Sequence, residues 1–134
     1  MLAMLNFNSK PFEWQRDMEI LMSNVNLNGI EFLSVRNMLF SFLNSYNGDF
    51  YKKILCHNVW KFTEENIIDE GERFPIFICD IRVAKLENAE IEAAFDYLKY
   101  GWGVPESNEY NLVCIDGGEV SIDLICEKVE ILDT

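Results

Sequence analysis

In the stretch LVCIDGGEVSIDLIC, residues 112–126, a Gly-Gly pair separates a short, mostly apolar run from one that alternates apolar and polar positions. Such a pattern folds back on itself as an antiparallel pair, because strand side chains alternate faces with a period of two. With a two-residue turn, paired positions sum to an odd number whichever two residues form it. Val113 and Ile115 then share a face with Val120, Ile122, Leu124 and Cys126, and that face is wholly apolar. The predicted hairpin spans 110–126 with its turn inside 116–119. Asp-Gly or Gly-Gly at the centre suits the positive φ angles of a primed turn. Val129 and Ile131 continue the inner face after a parity shift near Ile125–Cys126, where a bulge is expected.

This reading gives Asp116 a structural task. A calcium loop needs acids at regular spacing along about twelve residues, and they are absent here. A dinucleotide fingerprint needs three spaced glycines leading into a helix, whereas a strand follows these two.

The rest of the chain supplies partners for that hairpin. Ser9 and Pro11 suit the start of a short helix. Residues 14–25 fit either a helical stripe or a strand. Asn28-Gly29 between alternating apolar residues points to a second hairpin near 20–33, with Val25, Leu27, Ile30 and Phe32 on one face. Val35, Met38, Leu39, Phe42, Leu43 and Tyr46 follow helical spacing, with Ser34 as cap and Asn47-Gly48 as stop. Residues 50–62 alternate Phe50, Ile54, Cys56, Trp60 and Phe62, and suit a strand, although a helix is also compatible. Residues 64–73 form a charged turn. Residues 74–86 read as a strand with Phe77, Cys79, Ile81 and Val83 inward. Residues 88–100 read as a helix with Ile91, Ala94, Phe95 and Leu98 in line and Asn88 or Glu90 serving its first turn. The expected fold is a single α+β domain over residues 1–134: a mainly antiparallel sheet with two hairpins and two to three helices packed on it.

Composition narrows the class. Hydrophobic residues make up 49% and charged residues 25%, an ordinary globular balance. No apolar run approaches the roughly 18 residues of a membrane span. The start, MLAMLNFNSK, lacks a basic lead and a long apolar stretch, so a cytoplasmic protein is expected. Cys56, Cys79, Cys114 and Cys126 are then expected as reduced thiols, with at least Cys79 and Cys126 buried. One histidine and no C-x-x-C give no zinc site.

Catalytic motifs are equally scarce. There is no Walker loop, no G-x-S-x-G and no H-E-x-x-H. Cys56 and His57 are neighbours on a strand and so point to opposite faces. Asp80 and Arg82, two apart on one strand face, suit either a surface pair or a polar binding strip, and the pair is the plainer reading. No catalytic residue, cofactor or metal is expected. Gly101-Trp102-Gly103 is the one conspicuous aromatic loop. Physics favours Trp102 folding back over the sheet, since a large apolar side chain usually finds the core. The other reading makes it an anchor for a partner.

Charge is the strongest functional cue. Residues 1–62 hold five acids against six bases, and residues 63–134 hold 18 acids against five bases, so the net charge of −12 lies in the second half. Such a surface repels nucleic acid and acidic membranes and attracts basic proteins. Solubility alone is the plainer reading of the same charge. In size, acidity, aromatic-rich α+β pattern and lack of catalytic motif, the chain resembles the small acidic immunity proteins of bacterial contact-dependent and polymorphic toxin systems. That resemblance implies a non-catalytic inhibitor binding a cognate toxin domain, often a basic nuclease. Candidate contacts are Glu64, Glu65, Asp69, Glu70, Glu72, Trp102, Asp116, Glu119 and Asp123, with Glu90, Glu92 and Asp96 as second choices. The alternatives are a regulatory or structural module pairing through a sheet edge, and a small enzyme without a readable motif.

Overall fold

The computed structural model describes residues 18–66 and 74–133. They form β1 (Glu19–Leu33), β2 (Asn37–Asn44), β3 (Phe50–Asn66), β4 (Ile76–Lys85), α1 (Ala89–Tyr97), β5 (Asn111–Asp116) and β6 (Val120–Asp133). The strands close into an antiparallel barrel in the order β1-β2-β3-β6-β5-β4, with β4 pairing back onto β1. This corrects the expected α+β sheet with two to three helices: one short helix stands among the described residues. The expected helix at Ser9–Pro11 and most of the charged turn at 64–73 lie outside them.

The largest correction is β2. Helical spacing of Val35, Met38, Leu39, Phe42, Leu43 and Tyr46 coexists with a period-two set, Met38, Phe40 and Phe42. The period-two set wins: those three are buried, and Leu39, Ser41 and Leu43 are half-buried on the outer wall. When nearly every position is apolar, both periods fit, and the strand partners on either side decide. Asn47-Gly48 ends no helix but turns β2 into β3. Gly48 takes φ 78° there, and Asn47 Oδ1 accepts from the Asp49 amide at 2.9 Å.

Asn28-Gly29 is likewise no hairpin turn. β1 runs through it, and the register against β2 shifts between Leu27 and Gly29. The pair serves as a bulge, which bends a strand without reversing it. Val25 and Leu27 are buried, Ile30 packs on the core, and Phe32 emerges exposed.

Two more irregularities re-aim the walls. Asn24 (φ 55°) and Asn58 (φ 54°) sit mid-strand in the left-handed region that Asn tolerates better than most residues. Inward parity changes beside each of them. Along β1 it passes from Met22 to Val25, and on β4 from Ile81 to Ile78. Ser23 and Asn24 are therefore both exposed, and so is Cys79, which corrects its expected burial. Phe77 is exposed as well, while Ile76 and Ile78 take the inner positions assigned to Phe77 and Cys79. Along β3 the change lies between Cys56 and Val59, and along β6 between Cys126 and Val129. The bulge expected in β6 lies instead in β3, whose Trp60 is the extra residue opposite Ile125–Cys126. Trp60 consequently packs outward under the helix, not inward with Ile54 and Cys56. Phe50, the other expected inner residue of β3, is exposed.

The β5–β6 hairpin follows the sequence reading. Asp116 pairs with Ser121, and the Gly117 amide donates to the Val120 carbonyl at 2.8 Å, leaving Gly118-Glu119 as the turn. Val113, Ile115, Val120, Ile122, Leu124 and Cys126 all point into the barrel. The glycines' reason differs from the expected one. Neither takes a left-handed φ. A Cβ on Gly117 would lie 2.3 Å from the Phe77 carbonyl oxygen of β4, so close approach is what demands glycine.

Six strands leave no lumen. Their inward side chains, Phe40, Phe42, Leu27, Ile54, Ile78 and Leu124 among them, fill the interior. Full burial of each contributes roughly 1.5–3 kcal/mol. A second core lies outside the barrel. Ala94, Phe95 and Leu98 of α1 cover Leu112, Cys114 and Ile125, with Trp60, Tyr100 and Tyr110 around them. The helix therefore buries the apolar part of the mixed outer face of β5–β6 and leaves its polar part open. In the first turn Glu90 Oε1 accepts from the Glu87 amide at 3.1 Å, and Asn88 makes no side-chain cap bond.

Candidate protein-binding surface

The polar part of that outer face is arranged by strand register. Asp116 on β5 stands between Asp80 on β4 and Ser121 on β6, and Ser121 stands beside Glu65 on β3. The next row runs Arg82, Cys114, Asp123, Thr63. Arg82 Nη2 donates to Asp80 Oδ2 at 3.2 Å, and Ser121 Oγ donates to Asp116 Oδ1 at 3.0 Å. The Thr63 hydroxyl donates to the Asp123 carbonyl at 3.4 Å.

Where this wall meets the C-terminal end of α1, a cleft of about 310 Å³ opens. Thr63, Glu64 and Glu65 of β3 line it, with Ser121 and Asp123 of β6 and Tyr97, Leu98 and Lys99 from the helix end. Asp123 is buried to 6% exposure at its floor. Among the described residues its lining sets three carboxylates beside the Lys99 ammonium. The last turn of α1 carries no basic residue, so its terminal carbonyls add to the negative potential. Such a cleft suits a guanidinium or ammonium group brought by a partner.

Glu64, Glu65 and Asp123 are thus brought together from positions nearly sixty residues apart. Asp116 adjoins them through Ser121. Glu119 is exposed in the neighbouring turn. Asp69, Glu70 and Glu72 lie outside the described residues. Glu92 and Asp96 are exposed on α1, and Glu90 is half-buried in its own first turn. Sequence reasoning missed Tyr97, Leu98 and Lys99 as walls of this cleft. The helix itself was legible, but which strands its end would meet was not.

Trp102 corrects the sequence reading in the other direction. It does not fold over the sheet but is 81% exposed. The aromatic place on the outer core is already filled by Trp60, Phe95, Tyr100 and Tyr110, whose ring centroids lie 4.9–6.2 Å apart. The loop beneath Trp102 is held down. The Tyr110 hydroxyl donates to the Pro105 carbonyl, and Ser107 Oγ donates to Glu127 Oε2 at 3.0 Å.

His57 Nε2 lies 2.7 Å from Glu130 Oε1 on the β3–β6 seam, far in register from the cleft acids. Among the described residues no cluster of three or more His, Cys, Asp or Glu could hold a metal ion. Cys56, Cys114 and Cys126 are buried thiols. The Cys126 thiol is pushed up by its hydrogen bond with Cys56 and by burial, so it is a poor nucleophile.

Residues 20–133 match a protein-family model whose whole description is "-like:-like". The chain belongs to that family. Among the described residues the match runs from the second residue of β1 to the end of β6, and the description names no activity. The crystal structure of an uncharacterized protein from Neisseria gonorrhoeae is similar, with a TM-score of 0.59 at 21% identity. The alignment covers 85% of this chain and 95% of that one, and it shows a shared fold. No curated protein matches the chain. Among the described residues no helix is long and apolar enough to cross a membrane.

Proposed function

We propose that this family member is a non-catalytic binding protein that inhibits a basic partner domain, in the manner of an immunity protein neutralising a cognate toxin. The observation that supports it is the convergence of Glu64, Glu65 and Asp123 on one concave surface at the negative end of α1. A partner that grips nucleic acid presents Lys and Arg. The excess negative charge of this chain steers such a partner inward, and the cleft seats one of its cations. The groups meant for phosphates are then neutralised, and the bulk of the barrel blocks the surface around them.

The experiment is co-expression with the product of the adjacent upstream gene, scored by growth rescue, followed by association rates. Reversing Glu64 and Glu65 to Lys slows association roughly tenfold at low salt, and the deficit shrinks as salt rises. Reversing Glu19 and Glu31, exposed on β1, has little effect. Absence of rescue and of any complex overturns the inhibitor reading. Rescue with unchanged association rates keeps the inhibitor and removes the acidic cleft from its interface.

A further inference from the structure

A second cleft, of about 190 Å³, opens between the β1–β2 turn and β3. Its apolar lining includes Phe32, Met38, Trp60 and Phe62, and its rim carries Arg36 and Lys61. Neither cation makes an ion pair among the described residues. The turn is held in an unusual shape. Val35 and Arg36 both take left-handed backbone, φ 58° and 63°, rare for a β-branched residue. The Val59 amide fixes it by donating to the Arg36 carbonyl at 2.7 Å. Phe32 at 70% exposure and Val35 at 82% are left facing solvent. An apolar cleft with two cations on its rim, in a chain of net charge −12, calls for a segment that joins an apolar side chain to a carboxylate.

This chain carries that segment itself. Trp102 (81% exposed) and Val104 (39%) are followed by the exposed Glu106. The loop and the cleft share one side of the molecule. Trp60 lines the cleft, its ring lies 5.4 Å from that of Tyr110, and the Tyr110 hydroxyl holds the loop at Pro105. Two complementary patches side by side allow a two-fold pairing in which both contacts form twice and the assembly closes. We propose that two copies of this chain pair face to face, each seating its Trp102 loop in the other's Phe32–Trp60 cleft with Glu106 against Arg36 and Lys61. The proposal stands independently of the toxin-binding reading.

The test is sedimentation velocity over a concentration series, with native folding of each variant checked by circular dichroism. The wild-type chain shifts from monomer to dimer with concentration. Trp102→Ala weakens the dimer tenfold or more, as loss of a buried aromatic anchor does. Arg36→Glu with Lys61→Glu in one chain, and Glu106→Lys in another, each abolish self-pairing. Mixing those two chains restores a dimer, because one contact is then native and the other has both charges exchanged. A wild-type chain that stays monomeric at every concentration overturns the proposal. So does a dimer that survives both charge variants, since its interface would lie elsewhere.

Discussion

Gly117 is the position where a single methyl group should damage this barrel most. A Cβ there would stand 2.3 Å from the Phe77 carbonyl oxygen and 3.4 Å from both the Phe77 carbonyl carbon and Ile78 Cδ1. The side-chain contact can relax by rotation, but the carbonyl belongs to the backbone of β4. At Phe77 that strand is paired with Asn26 of β1, and from Asp80 onward β5 holds its other side. Relief therefore requires the β5–β6 turn to lift away or the start of β4 to shift, loosening Ile76 and Ile78 in the core. Overpacking against rigid surroundings costs about 1–3 kcal/mol, and a backbone obstacle belongs at the upper end. An unfolding entropy of roughly 2.1 cal/mol/K per residue makes 3 kcal/mol worth a fall of about 10 °C in Tm for a chain of this length. Gly118 is the internal control. It is next in sequence, has nothing within 4 Å of an added Cβ and no left-handed φ. Gly118→Ala should be neutral or gain up to about 1 kcal/mol, by restricting the unfolded chain. The assay is urea unfolding of both variants beside the wild type, with Tm by calorimetry. Equal stability of the two variants, or a Gly117→Ala loss below about 0.5 kcal/mol, would refute the close-approach argument.

The other predictions concern titration and thiols. The Glu130 carboxyl is held below the ordinary glutamate value of 4.5, chiefly by its hydrogen bond with His57, with Lys128 adding to it. A depressed carboxylate stabilises the folded state above its unfolded pKa, and that contribution disappears as pH falls through the folded value. Urea midpoints of the wild type should therefore drop more steeply below pH 4.5 than those of Glu130→Gln, and parallel curves would contradict this. For the thiols, a native-state labelling reagent should modify Cys79 alone, because Cys56, Cys114 and Cys126 are buried. Cys79→Ser should abolish rapid labelling, and fast reaction of a second thiol would mean that the barrel opens readily.

Local pattern determined a good part of this protein. The hairpin at 110–126 was legible because Val113, Ile115, Val120, Ile122, Leu124 and Cys126 admit one inward face whichever residues turn. The helix over Ala89–Tyr97 was legible because its apolar stripe is flanked by charges that forbid a strand reading. Glu64, Glu65 and Asp123 could be named as candidate contacts from charge alone, but not as neighbours. Tertiary structure decided everything that depended on closure. Residues 34–47 satisfy two periods at once, and only a pair of flanking strands selects the period-two set Met38, Phe40 and Phe42. Asn28-Gly29 can reverse a chain or bulge it, and the choice belongs to the strand beyond, which must reach β2 with Ile30 turned inward. Asn24 and Asn58 swap faces in mid-strand to keep the inner wall apolar around a tight barrel, and that exposes Cys79 and turns Phe77 outward. Trp102 is exposed for the same kind of reason. Trp60, carried outward by a bulge in β3, already occupies the aromatic place beneath α1, and no sequence pattern records which of two tryptophans reaches it first.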